Sequence, residues 1–322
     1  MNKNHEHTDD SQKNPLVSMG LCVRNGGEYV RGALDSLLAQ TYKNFELIIS
    51  DNASTDDTQN ICEEYARREA RIRYIRQKEN IGSYGNYDFI RKEARGDYFA
   101  WAACDDFWDP RFIEECVAKF REFPDATMVF PNFYAFDDSG KVIQLSQENY
   151  FPFAPDTYTR IKTYLLNRAQ NGKITMIYGL WRKHTPADLL SLGGCHGDMI
   201  YVFRSLLTGY FANVLHALFF KRQSPIYHGN KKFSFQELIA LPHDYKYETL
   251  EEWHATRKKI EKKLGFITKA KIFISNRLQA AKYSYKLSKY IFLDKGLRKG
   301  EKARLFLWVK YAFLRALWWG YL

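Results

Sequence analysis

The sequence predicts an α/β protein: a mostly parallel sheet with helices on both faces, followed by a helical extension rich in basic and aromatic residues. Three observations carry that prediction. Apolar runs of strand length alternate with segments of helical period from Leu16 to Pro131, the pattern of parallel strands joined by helical crossovers. Polar clusters at Arg24-Asn25, Asp51-Asn52, Arg76 with Asn80, and Asp105-Asp106 all follow strands, which is where such sheets bind ligands. From Arg257 to Leu322 the chain carries 18 Lys and Arg against 3 Asp and Glu, while the rest holds 30 against 34, so the net positive charge sits at the C-terminal end.

Taken in order, Leu16 to Val23 is an apolar run suited to a central parallel strand, and Gly26-Gly27 break it. A helix from Glu28 to Gln40 follows, with Leu34, Leu37 and Leu38 on one face. Phe45 to Ser50 reads as the second strand. Ser54, with Asp57 three residues on, resembles a capping box that opens a helix running to Arg68. Ile72 to Arg76, Ser83 to Ala94 and Tyr98 to Ala103 give the third strand, the third helix and the fourth strand. Asp109 is expected to cap a fourth helix, Pro110 to Glu122, and Ala126 to Pro131 to add another strand. Further on, Tyr150 to Pro155 and Tyr178 to Trp181 are aromatic stretches that suit either core packing or stacking on a ligand.

The strand from Tyr98 to Ala103 runs out into two adjacent acids, Asp105 and Asp106. Ionised side chains side by side at the end of an apolar strand repel, and burying either costs several kcal/mol without a compensating cation or hydrogen bonds. A divalent metal carrying a diphosphate would compensate them; a solvated strand-to-helix turn is the competing reading.

With 322 residues, 45% hydrophobic and 16% aromatic, the chain can bury a large core and is not a disordered one. Its five cysteines, Cys22, Cys62, Cys104, Cys116 and Cys195, show neither paired nor metal-type spacing, so a disulfide scaffold is excluded and reduced thiols in a cytosolic setting are expected. Residues 1–14 contain no apolar run and read as a loose tail without a signal peptide.

Pro15-Leu16-Val17-Ser18, Asn25, the helix end Ser36 to Tyr42, the stretch Phe45 to Asp56, the Asn80-Ile81-Gly82 turn with Asn86, and Gly96-Asp97-Tyr98 leading to Asp105-Asp106 together resemble the family 2 glycosyltransferases. The resemblance covers residues 15–135 and weakens beyond. It implies the Rossmann-like GT-A fold, a nucleotide-sugar donor, Mg²⁺ or Mn²⁺, an acceptor hydroxyl and inversion at the anomeric carbon. Residues 15–135 would form the nucleotide-sugar half and 136–250 the acceptor half, with 251–322 as the extension.

Carried over residue by residue, the resemblance places nucleoside contacts on Cys22, Arg24 and Asp51, with Asn52 where many members have a second acid. Arg76 joins that pocket or is plain surface. Asp105 and Asp106 correspond to the metal motif, Asp106 binding the cation and Asp105 contacting the ribose or the metal shell; hard oxygen ligands suit either ion. Asp198, in Gly193 to Asp198, stands where the family places its general base; a simple helix cap and His196 as base are the rivals. Arg222 is a candidate partner of phosphate oxygens and His228 a candidate to complete the metal shell.

In the extension, Ile272 to Phe292 and Leu305 to Leu322 mix aromatics and lysines at helical spacing. The latter run is marginal for spanning a bilayer, and its Trp, Tyr and Lys content suits a helix lying among lipid headgroups. A helical lid packed on the domain is the first rival; a nucleic-acid surface lacks any accompanying motif. The expectation is therefore an inverting transferase on the inner face of the cell membrane, peripheral and cytoplasmic. It would move a sugar from a nucleoside diphosphate, a UDP-sugar as first candidate, to a lipid-linked or cell-surface glycan. A sugar nucleotidyltransferase, or a donor-binding scaffold without turnover, is the alternative.

Overall fold

The computed structural model describes residues 14–137, 140, 142–145, 156–166, 175–185, 197–222, 281 and 284–319. From the amino end the elements are β1 (Val17–Val23), α1 (Val30–Leu38), β2 (Phe45–Asp51), α2 (Thr58–Arg68), β3 (Ile72–Arg76), α3 (Ser83–Glu93), β4 (Tyr98–Ala103), β5 (Phe107–Trp108) and α4 (Phe112–Glu122). Then come β6 (Met128–Phe136), β7 (Val142–Leu145), α5 (Thr157–Leu166), a 3-10 turn at Met176–Tyr178, β8 (Leu180–Arg182), α6 (Gly197–Thr208) and β9 (Phe211–Arg222). Two helices close the described chain, α7 (284–293) and α8 (Lys299–Trp319).

One sheet runs in the order β3-β2-β1-β4-β8-β6-β9-β5, with β7 paired to β6. Its first four strands are parallel, Val17 standing opposite both Phe45 and Tyr98. Every residue of β1 is buried, as a central parallel strand covered on both faces requires. β8 then enters antiparallel between β4 and β6. The sheet therefore crosses from the first half of the chain to the second without a break, and Trp101, Trp181 and Tyr201 pack edge to face across that seam.

Two local expectations fail for identifiable reasons. Ser54 and Asp57 make no capping box: the Ser54 hydroxyl accepts the Asn25 N–H at 2.9 Å, and α2 starts at Thr58 without a side-chain cap. The helix expected at Pro110 begins at Phe112. Asp109 turns onto its neighbour, accepting the Arg111 N–H and guanidinium at 2.9 Å, and the buried side chain of Gln40 accepts the Ile113 N–H at 3.0 Å instead. A glutamine at the end of α1 thus satisfies an orphan donor of α4.

The extension packs on the domain. Leu287, Ile291, Leu297, Leu305 and Val309 are buried within the same core as the sheet. The Lys162 ammonium lies 5.5 Å from the Trp308 ring centre and the Arg204 guanidinium 5.0 Å from that of Tyr290, tying α8 to α5 and α7 to α6.

Candidate active site

The carboxyl ends of β1, β2 and β4 form one rim, and a small polar lattice builds it. Three successive backbone amides after β1 are donated to the loop after β2: Asn25 N–H to Ser54 Oγ, Gly26 N–H to Thr58 Oγ1 and Gly27 N–H to Asp56 Oδ2, each at 2.9 Å. Asn25, at φ +51°, returns its Oδ1 to the Thr55 N–H at 2.9 Å. An asparagine tolerates that left-handed backbone better than most residues.

Asp51 lies beneath this lattice, its side chain 0% exposed. One of its oxygens accepts the Ser54 N–H at 2.8 Å and the other the Tyr74 hydroxyl at 2.8 Å. Arg76 donates to the Ser54 carbonyl at 2.9 Å. Asn52 turns the other way. It donates to Asn80 Oδ1 at 2.9 Å and to the Gly82 carbonyl at 3.2 Å, and accepts the Ile81 N–H at 2.8 Å. An amide serves where a carboxylate cannot, because both donors and an acceptor are needed. The structure thus places Asp51, Asn52 and Arg76 as supports of the loops around the rim. Cys22 is buried at the end of β1, its thiol pushed up first by burial and then by Cys104 beside it. Arg24, two residues on, is exposed.

The acids meet their partners through β9. Phe107 stands opposite Phe220 in the antiparallel pair β5–β9, so the residues just before one and just after the other are brought together. The Arg222 N–H donates to Asp106 Oδ1 at 2.7 Å and its Nε to the Asp105 carbonyl at 3.2 Å. The guanidinium sits 4.9 Å from the ring centres of both Tyr29 and Phe136. Asp106 is only 3% exposed. Burial first, and the Asp105 charge second, push its carboxyl well above the usual range; Lys221, the Arg222 N–H and the Arg222 charge pull back.

Sequence reasoning did not single out three further residues. The Tyr178 hydroxyl meets that of Tyr87 at 3.1 Å. Burial raises the Tyr178 phenol most, and the charge of Asp106 next, with Asp105 and Asp198 adding to it. Lys221 reaches Thr175 Oγ1 at 3.5 Å and lies 5.7 Å from the Tyr178 ring centre. A tyrosine inside α3 leaves no signal in the sequence; Tyr178 falls within the aromatic stretch Tyr178 to Trp181, and Lys221 stands next to the candidate Arg222.

Asp198 occupies the first turn of α6 and is half-buried, its Oδ1 accepting the Met199 N–H at 2.8 Å. Tyr84, from the first turn of α3, docks that turn on the rim: its hydroxyl accepts the Gly197 N–H at 3.1 Å. A β-carbon at Gly197 would stand 2.6 Å from the Tyr84 ring, so any larger residue there would displace that ring. His228 and His196 lie outside the described residues, as does Tyr150 to Pro155.

Among the described residues no three His, Cys, Asp or Glu side chains converge as a complete metal cage. The acid pair nevertheless suits a hard divalent cation: Asp106 is buried beside a like charge, and an ion there would relieve both its burial and that repulsion.

Structural comparison finds the TarS 1–349 fragment of S. aureus. Its complex with UDP-GlcNAc gives a TM-score of 0.59 at 15% identity, over 93% of this chain and 72% of that one; the complex with UDP gives 0.59 at 14% identity over 93% and 71%. The fold is GT-A. In sequence, the chain is 41% identical over 103 residues to an uncharacterized glycosyltransferase of Rickettsia typhi, covering 32% of this chain and 31% of that relative. It is 30% identical over 124 residues to glycosyltransferase GlyG of Streptococcus pneumoniae, covering 38% and 41%. The chain thus spans less than half the length of either curated relative. Residues 18–182, just over half of the chain, match the family described as Glycosyl transferase family 2, and the chain belongs to that family.

Proposed function

We propose that this protein is an inverting glycosyltransferase that moves a sugar from a nucleoside-diphosphate sugar to a hydroxyl of a glycan or lipid-linked acceptor, with a UDP-sugar as first candidate donor. The observation that carries the reading is the buried Asp106 beside Asp105, met by Lys221 and Arg222 at the carboxyl rim of the sheet. Tyr178 lies within electrostatic reach of Asp106 first, and of Asp105 and Asp198 after it, which supports assigning the acid pair and Asp198 to the same site. The UDP and UDP-GlcNAc complexes of TarS support the choice of donor.

In this reading Asp106 and Asp105 hold Mg²⁺ or Mn²⁺ through carboxylate oxygens, with His228 a further ligand. When bound, the ion neutralises charge gathering on the departing diphosphate. Arg222 and Lys221 add fixed positive charge beside the same phosphates. Asp198 takes the proton of the acceptor hydroxyl as that oxygen attacks the anomeric carbon from the face opposite the nucleotide. Asn52, Asn80, Ser54 and Asp51 keep the loops that frame the nucleoside in place.

A nucleotidyltransferase is disfavoured on a specific observation. Its triphosphate would need backbone amides after β1, and those of Asn25, Gly26 and Gly27 are already donated to Ser54, Thr58 and Asp56.

The test is a thermal-shift panel of nucleoside diphosphates and their sugars with and without Mn²⁺, followed by turnover with membrane extract as acceptor. A bound donor raises Tm by mass action. Asp198→Asn is expected to keep the donor shift while turnover collapses. Loss of shift and turnover together would overturn its assignment as base, and a donor that binds the parent protein but never turns over would point to the scaffold alternative.

A further inference from the structure

The C-terminal helices bury one face and leave the opposite one uncovered, and the composition of the uncovered face is unusual for this molecule. Leu287 and Ile291 of α7, with Leu305 and Val309 of α8, turn inward. On the other side α7 presents Tyr285, Lys289, Phe292 and Leu293, and α8 presents Arg304, Leu307, Lys310 and Tyr311. The helical period that places the first set against the domain places the second set outward. Among the described residues seven large hydrophobic side chains are exposed, and five of them, Tyr285, Phe292, Leu293, Leu307 and Tyr311, belong to this pair of helices. Leu307 is 66% exposed and Leu293 65%. The same stretch, residues 284–311, carries eight Lys and Arg against two acids.

We infer that the outward face of α7 and α8 is a docking surface for an anionic phospholipid bilayer, on which the protein lies without crossing it. Charge complementarity selects this occupant. A second copy of the chain would bring two strongly basic faces together, whereas lysine heads set beside leucine and aromatic bodies match anionic headgroups over an apolar layer. Among the described residues no helix is long and apolar enough to cross a membrane, so the contact is in the plane of the interface. The two readings of the extension, lid and membrane surface, are its two faces. Since Tyr290 of α7 packs on Arg204 of α6, and α6 carries Asp198 in its first turn, a docked bilayer is held at a fixed place relative to the acceptor end of the rim.

Vesicle flotation of the full chain tests this, using phosphatidylcholine vesicles with and without phosphatidylglycerol. The protein is expected to float with the anionic vesicles and not with the neutral ones, and added salt should weaken the binding without abolishing it. The variant carrying Leu293→Glu, Leu307→Glu and Tyr311→Glu is expected to lose vesicle binding about tenfold. All three sites are exposed, so its Tm and its donor-induced thermal shift should match the parent, which separates this outcome from a failure of the proposed transferase activity. Equal flotation of variant and parent would overturn the inference. So would equal binding to neutral vesicles, or a dimer in solution that the variant dissolves while neither protein floats.

Discussion

Asp106 is where the chemistry of the site can be read most directly. Burial and the neighbouring Asp105 raise its carboxyl above the usual range. A group whose native pKa exceeds its unfolded value adds stability below the unfolded pKa and loses it as pH rises through the native one. Without a divalent ion, Tm should therefore fall as pH rises from about 4 toward neutral, and Asp106→Asn, which keeps the oxygen that accepts the Arg222 N–H, should flatten that part of the profile. A cation held by both acids competes with the proton. Mn²⁺ should thus raise Tm at neutral pH, do little near pH 4, and do nothing for Asp106→Asn. Fluorimetric melts over a pH series read all three effects, and an equal Mn²⁺ shift in parent and variant would contradict the metal assignment. The acid pair was legible because adjacent carboxylates after an apolar strand demand an explanation. Asp51 and Asn52 were read from the resemblance as lining the nucleoside pocket; their hydrogen bonds to Tyr74, Ser54 and Asn80, which no spacing announces, fix the loops there.

Between elements, the site depends on loops fastened to each other. Asn52 joins the end of β2 to the turn before α3 through two donated hydrogen bonds and one accepted. Asn52→Asp removes both donations and sets a carboxylate against Asn80 Oδ1 and the Gly82 carbonyl. With the side chain buried, the expected loss is about 1–3 kcal/mol in urea unfolding, together with weaker binding of every nucleotide tested. Had Asn52 read the base edge, the same change would alter base preference and leave stability alone. Parallel strands and their helices were legible in the first half because short unbroken apolar runs, as in β1, alternate there with segments whose apolar residues recur at helical period. The capping box was not, because Ser54 had a better partner in the Asn25 amide, and sequence separation hides such a bond. β5 and β8 are two and three residues long, too short to carry a period, although they join the acids to β9 and the two halves of the sheet to each other.

At the scale of the whole molecule, the extension was legible as amphipathic and basic, but not as integral to the core, since one sequence pattern serves a helix resting on protein and a helix resting on lipid. The structure separates the two by face. Leu305 is fully buried and Leu307, two residues on, points outward. Leu305→Ala should cost about 2–5 kcal/mol, the range for a truncated core leucine, whereas Leu307→Ala should stay within about 0.5 kcal/mol in the absence of membranes. If α8 shares the cooperative unit of the sheet, the Leu305→Ala loss lowers the midpoint of a single urea transition observed by tryptophan fluorescence and by far-UV circular dichroism alike. An appendage that folded on its own would instead melt early as a separate step, leaving the main transition unmoved. That second pattern would detach α8 from the domain energetically, and with it the fixed geometry by which a bilayer on the outer face is held relative to Asp198.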